Sequence, residues 1–193
     1  DALINLGFMS TLQLPQLDSF SGSIKVGYGR DPNYQEWAPG DIELIEMKMR
    51  WNPSDQIRIN FRLNQQNNRR PKDRSLVSSG TVPRLKVEYQ LNKSLFLRFV
   101  GQYNSSYRDS LRDSSKDGMP IYFKNSDGTF NRASRQESNS LQTDFLFSYR
   151  PTPGTLVFVG YGSSMTEPQR YRFNSLERKS DGFFIKLSYV YRL

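Results

Sequence analysis

The last eleven residues alternate, one by one, between two kinds of side chain. Phe183, Ile185, Leu187, Tyr189, Tyr191 and Leu193 hold one set of positions, and Phe184, Lys186, Ser188, Val190 and Arg192 hold the other. Successive side chains of a β-strand point to opposite faces. A strand here is apolar and aromatic on one side and mixed, with two cations, on the other. A soluble sheet hides such a stripe in a core, whereas a wall strand of an outer-membrane barrel turns it to lipid. The expectation is an all-β fold, an antiparallel up-and-down transmembrane β-barrel, with these residues as its closing strand.

The same period recurs upstream. Phe20, Gly22, Ile24, Val26 and Tyr28 alternate with Ser21, Ser23, Lys25 and Gly27; Ile45, Met47, Met49 and Trp51 with Glu46, Lys48 and Arg50. Ile57, Ile59, Phe61 and Leu63 alternate with Arg58, Asn60, Arg62 and Asn64, and Leu85, Val87, Tyr89 and Leu91 with Arg84, Lys86, Glu88 and Gln90. Period-two patterning predicts strands near 2–14, 20–29, 42–51, 57–65, 82–91, 95–103, 139–150, 155–163 and 182–193. In the first, Ile4, Leu6, Phe8, Leu12 and Leu14 share a phase that Ser10 interrupts. In 155–163, apolar on both sides, Val157, Val159 and Tyr161 are assigned to the lipid side.

The predicted connections alternate in length. Short turns fall at 15–19, 52–56, 92–94 and 151–154, with turn-forming Pro, Asn, Asp, Ser and Gly. Long polar loops fall at 30–41, 66–81, 104–138 and 164–181. This is the short-periplasmic, long-extracellular order of an outer-membrane barrel. The longest loop holds an apolar run at 121–123 and an Asn125-Ser126-Asp127-Gly128 turn, which predict a small projecting hairpin.

Composition narrows the chemistry. At 193 residues the chain fits one β domain spanning 1–193. With 36% apolar residues and mean hydropathy −0.70, no run can form a membrane-spanning helix, but a barrel needs only every second strand residue apolar. There is no cysteine for a disulfide or thiolate site, and no histidine, the commonest general base and metal ligand. Enzymatic activity, a cofactor and a metal site are therefore not expected. The carboxylates Glu36, Asp41, Asp109 and Asp113 fall on predicted loops and read as solvated surface charge. Gly160-Tyr161-Gly162 reads as small side chains at a crowded wall rather than a phosphate loop.

Net charge is +8. The strand phases put Lys25, Lys48, Arg50, Arg58, Arg62, Arg84, Lys86, Arg98, Arg150, Lys186 and Arg192 on the inner side, against Glu46, Glu88 and Asp144. A basic lumen and an anionic or carbohydrate solute are the expectation, with nucleic acid disfavoured. The densest basic run, Arg69, Arg70, Lys72 and Arg74, sits on a loop and reads as a solvated patch open to lipopolysaccharide phosphates. Tyr34, Trp37, Tyr107, Tyr122, Phe130, Tyr171 and Phe173 read as loop-packing or girdle aromatics, with sugar stacking as the alternative.

Two stretches, FLFSYRPTPGTLVFVGYG from Phe145 to Gly162 and SDGFFIKLSYVYRL at the end, resemble the C-terminal barrel region of a large bacterial family. In that family a signal peptide and a carbohydrate-binding-module-family-9-like domain precede an outer-membrane β-barrel. The resemblance is close over about residues 141–193 and loose before. It implies architecture and location in the cell outer membrane. The sugar-binding-like domain has no counterpart here, so no binding residue carries over.

The expected role is a Gram-negative outer-membrane, porin-like pore, uptake channel or surface scaffold, a transmembrane protein handled by the barrel-assembly machinery. The rivals are a soluble β-barrel or sandwich that binds a ligand inside, and a barrel-embedded enzyme. If the last strand runs toward the periplasm, nine alternating strands leave Asp1 on the extracellular side. At least one upstream strand and a signal peptide are therefore expected, with this chain as the C-terminal part of a larger barrel.

Overall fold

The computed structural model describes residues 6–190. It contains β1 (Leu6–Gln13), β2 (Phe20–Asn33), β3 (Ala38–Ser54), β4 (Ile57–Arg69), β5 (Leu76–Gln90), β6 (Leu95–Arg108), β7 (Tyr122–Lys124), β8 (Phe130–Arg132), β9 (Gln136–Tyr149), β10 (Thr155–Glu167) and β11 (Glu177–Tyr189). All but β7 and β8 form one antiparallel meander in chain order, β1 to β11, and the described residues include no helix. The expected nine up-and-down strands are therefore present. The sheet does not close on itself, and β1 and β11 are its open edges. Ile4, Tyr191, Arg192 and Leu193 lie outside the described residues.

β7 and β8 form the expected hairpin. Its turn is an Asx turn, in which the Thr129 N–H donates to Asp127 Oδ1 at 2.9 Å, with Gly128 at φ 85°.

The loop boundaries need correction. At the loop end the strands run four or more residues past the predicted limits in β2–β6, β10 and β11, and three in β9. The connections there shrink to 34–37, 70–75, 109–135 and 168–176. The strict length alternation is lost, since 34–37 is no longer than the turn at 91–94. The reason is visible in the side chains. Asn68 donates to Ser78 Oγ at 2.7 Å and Ser79 to Asn67 Oδ1 at 2.8 Å, so residues that look like loop are cross-strand partners.

Register divides the sheet into two faces. One residue row crosses eight strands: Phe20, Trp51, Ile59, Val87, Phe99, Phe145, Tyr161 and Phe183. Every stripe predicted from phase, including Val157, Val159 and Tyr161, falls on this stripe face. Phe99 and Phe145 touch across it, ring centroids 4.8 Å apart. Among the described residues nothing covers the band. Phe8, Ile24, Val26, Trp51, Leu85, Tyr89, Leu97, Phe145, Phe147, Ile185 and Leu187 are all exposed.

The band crosses the hydrogen-bonded rows obliquely. Phe20 is at the turn end of the stretch Phe20–Tyr28 in β2, whereas Phe183, in the same row, is at the loop end of Phe183–Tyr189 in β11. The midpoint of the band drops seven residues between those strands, which are seven strand spacings apart. With a rise of about 3.3 Å per residue and strands about 4.8 Å apart, that is a lean of roughly 35°. A level apolar belt on tilted strands has this form.

Toward the loop end the stripe face changes character. Asp41, Ser79, Thr81, Ser105, Asn139 and Glu167 lie there and are buried, because the loops fold over them. Tyr103 and Val77 are buried apolar residues on the stripe face of this upper half.

Candidate functional site

The opposite face gathers the predicted basic residues. Lys25, Lys48, Arg50, Arg58, Arg62, Arg84, Lys86, Arg98 and Lys186 all project from it by register, with Glu46, Glu88 and Asp144. Arg150 does not. It lies in the turn after β9, where its guanidinium donates to the Lys93 carbonyl at 3.2 Å.

On this cation face three rows matter. Arg58, Glu88 and Arg98 form one; Arg50, Asn60 and Lys86 the next; Lys48, Arg62 and Arg84 the third. The third sets three cations directly opposite one another, an arrangement that costs stability unless water or an anion intervenes. Carboxylates do little to offset it. Glu46 meets Lys25 at 3.8 Å and Glu88 meets Lys86 at 3.1 Å, while Arg84 donates to Gln102 at 3.2 Å. Among the described residues Lys48, Arg50, Arg58, Arg62, Arg98 and Lys186 form no ion pair. Above these rows carboxamides and hydroxyls take over, and an open cavity of about 870 Å³ is lined by Gln66, Asn68, Ser78, Ser106 and Gln136, with Arg108 as a remaining cation.

Basic charge is not spread evenly. On β9–β11 the same face carries Leu146, Phe158, Gly160 and Phe184, so the cations concentrate on β3–β6.

A second constellation sits at the loop end and corrects the sequence reading. Glu36 is fully buried, and Arg70 is 3% exposed. Arg70 Nε donates to both Glu36 oxygens, at 3.2 and 2.9 Å, and Nη1 donates to Asp109 Oδ2 at 2.8 Å. The Arg112 N–H and Ser114 hydroxyl complete the Glu36 carboxylate, each at 3.1 Å. Burial alone would raise the Asp109 pKa, but the Arg70 hydrogen bond and charge hold it below the usual value. Arg74 donates to Tyr28, Asp41 and Glu43 at 3.1, 2.7 and 3.1 Å, and Arg69 binds Glu43 at 3.1 Å. Arg30 completes Asp41 at 3.1 Å.

Glu36 and Asp41 are thus not solvated surface charges, and Asp109 is ion-paired. Arg69, Arg70 and Arg74 are consumed by carboxylates rather than forming an open basic patch. Only Lys72 of that run makes no ion pair among the described residues. Asp113 does behave as surface, accepting from the Ser115 N–H at 3.1 Å. Nothing in the sequence couples Glu36 to Arg70, which are 34 residues apart.

A third cluster straps 168–176 to the sheet. Tyr103 donates to Glu167 Oε2 at 2.6 Å and accepts from the Tyr171 N–H at 3.0 Å. Tyr171 and Phe173 pack their rings 5.0 and 5.3 Å from that of Tyr103, and Arg170 reaches Thr81 at 2.5 Å. Both aromatics have positive φ, 62° and 53°, strain that this packing holds in place. Tyr107 lies under Arg135 at 4.8 Å. Tyr107, Tyr171 and Phe173 thus make ring contacts within the loop end, although Tyr171 and Phe173 keep one side exposed, and Tyr34, Trp37, Tyr122 and Phe130 also stand exposed.

Among the described residues no group of three or more acidic, His or Cys side chains could hold a metal ion. No protein-family model, no curated protein and no solved structure matches the chain.

Proposed function

We propose that the chain forms wall of a bacterial outer-membrane β-barrel, with the stripe face against lipid and the cation face along an aqueous path that favours anions. The oblique, uncovered apolar band carries this reading. A soluble sandwich or ligand-binding barrel has no use for a level apolar belt on its outside, but strands leaning roughly 35° through a bilayer require one. The unpaired cations add the solute preference, since rings of Arg and Lys favour anions. Lipid is the partner of the stripe face. The barrel-assembly machinery is the expected envelope partner. Catalysis, cofactors and nucleic acid have no place in the proposal.

The test is reconstitution into a planar bilayer under a salt gradient. A reversal potential on the anion side is the expected result, and cation preference would reject the solute assignment. A protein that stays monodisperse without detergent, and migrates identically boiled and unboiled, would return the soluble ligand-binding reading.

A further inference from the structure

We propose that Lys48, Arg50, Asn60 and Arg62 form a binding site for a doubly charged tetrahedral oxyanion, a group of the phosphate class. The proposal deepens the pore reading and rests on the cation face being the solute side. The four residues share that face on the adjacent strands β3 and β4. Arg50 lies directly opposite Asn60, and Lys48 directly opposite Arg62 one row nearer the loop end. Lys86 and Arg84 flank them on β5. With Ser21 and Ser23 they line a cavity of about 340 Å³ at the β2–β4 end of the face.

Asn60 supplies a second, independent observation. Its Nδ2 is covered from solvent and has no hydrogen-bond acceptor. A buried donor left unmade costs free energy, and native chains rarely keep one without a reason. The asparagines of the loop end find partners easily: Asn68 bonds Ser78 and Asn139 bonds Glu137. Asn60 has cations on either side in its row, which can only donate. What the cluster lacks is an acceptor.

The shape of the deficit sets the ligand class. Two guanidinium forks and one ammonium converge from strands about 4.8 Å apart. A fork matches a pair of oxygens on one group. A single carboxylate satisfies one fork; a tetrahedral oxyanion offers oxygens to both forks and, once the side chains that cover it turn toward the ligand, to the Asn60 amide. Chloride presents one centre and no geometry. The nearest carboxylates on this face, Glu46 and Glu88, are held by Lys25 and Lys86, so local charge repels a dianion little.

The experiment is calorimetric titration of inorganic phosphate into the full chain in detergent micelles at constant ionic strength, with chloride as reference. Phosphate should bind at one site and be preferred to chloride. Arg50→Gln and Arg62→Gln should each weaken it at least tenfold, and Lys124→Gln, the same charge loss on the β7 hairpin, should not. Asn60→Ala is the decisive variant because it changes no charge. It should weaken phosphate binding severalfold while leaving the phosphate-free protein as stable as before, or more so. Wild-type phosphate affinity in Asn60→Ala and Arg62→Gln, or equal losses in Lys124→Gln, would overturn the site. Anion-selective conductance with a flat phosphate titration would defeat this inference and spare the pore; saturable phosphate binding without anion selectivity would do the reverse.

Discussion

The ring of Phe184 fills the place where a β-carbon on Gly160 would sit. The two residues face each other across the β10–β11 register, on the cation face. The predicted crowded wall at Gly160 thus has a specific occupant. Gly160→Ala forces either the ring or the backbone to move, which should cost about 1–3 kcal/mol. Phe184→Ala should open the space and make the alanine at 160 nearly neutral. A double-mutant cycle on the denaturant midpoint measures the coupling; additive effects would show that the two do not meet.

Removing the carboxylate of Glu36 leaves the Arg70 guanidinium buried with only the half-buried Asp109 to pair. Glu36→Ala should destabilise the loop end by about 3–5 kcal/mol, the range for breaking a buried pair. The damage should be local. Hydrogen exchange and protease cutting should rise in 34–37, 70–75 and 109–135, while protection in the turn-end halves of β4–β6 stays as it was.

Arginine should discriminate the two faces. At Val87, in the middle of the uncovered band, it should cost about 2–4 kcal/mol in a bilayer. At Gln142, on the cation face of β9, the same residue should cost much less. Equal tolerance in lipid-based unfolding would defeat the assignment of the stripe to hydrocarbon.

Acid should loosen the 70–75 connection late. Asp73 accepts from the hydroxyl and N–H of Ser75, and Arg112 adds its charge, which together lower its pKa from about 3.8 to about 2. A depressed carboxylate contributes stability that is complete above the unfolded value and is lost as pH falls through the folded one. Exchange in 70–75 should therefore rise between pH 4 and pH 2, and Asp73→Asn should flatten that rise. The carboxylate is nearly half exposed, so the effect should be small.

Period two made most of the sheet legible before any coordinate. Alternation in 20–28, 57–64 and 84–91 places strands and faces because one side is apolar and the other is not. It fails where both sides are polar. Asn67, Asn68, Ser78 and Ser79 have no contrast between faces, so strands that bond through these side chains read as loop. The cations of the polar face were legible by phase alone. Phase also placed Asn60 among them, but its unmet donor has no sequence signature. The Glu36–Arg70 pair was hidden for a different reason: it joins connections whose mutual approach depends on how far the hairpins β2–β3 and β4–β5 extend.

The loops make their named attachments on the stripe side. Arg170 reaches Thr81, Tyr171 and Phe173 cap Tyr103, and Arg74 ties down to Tyr28. If the cation face is the solute path, these connections behave as external braces rather than as a lid. Passage would then be timed by how long an anion dwells on the wall, and not by the opening and closing of a loop. Stiffening the braces with a cross-link between 170 and 81 would raise the melting temperature and leave the conductance unchanged.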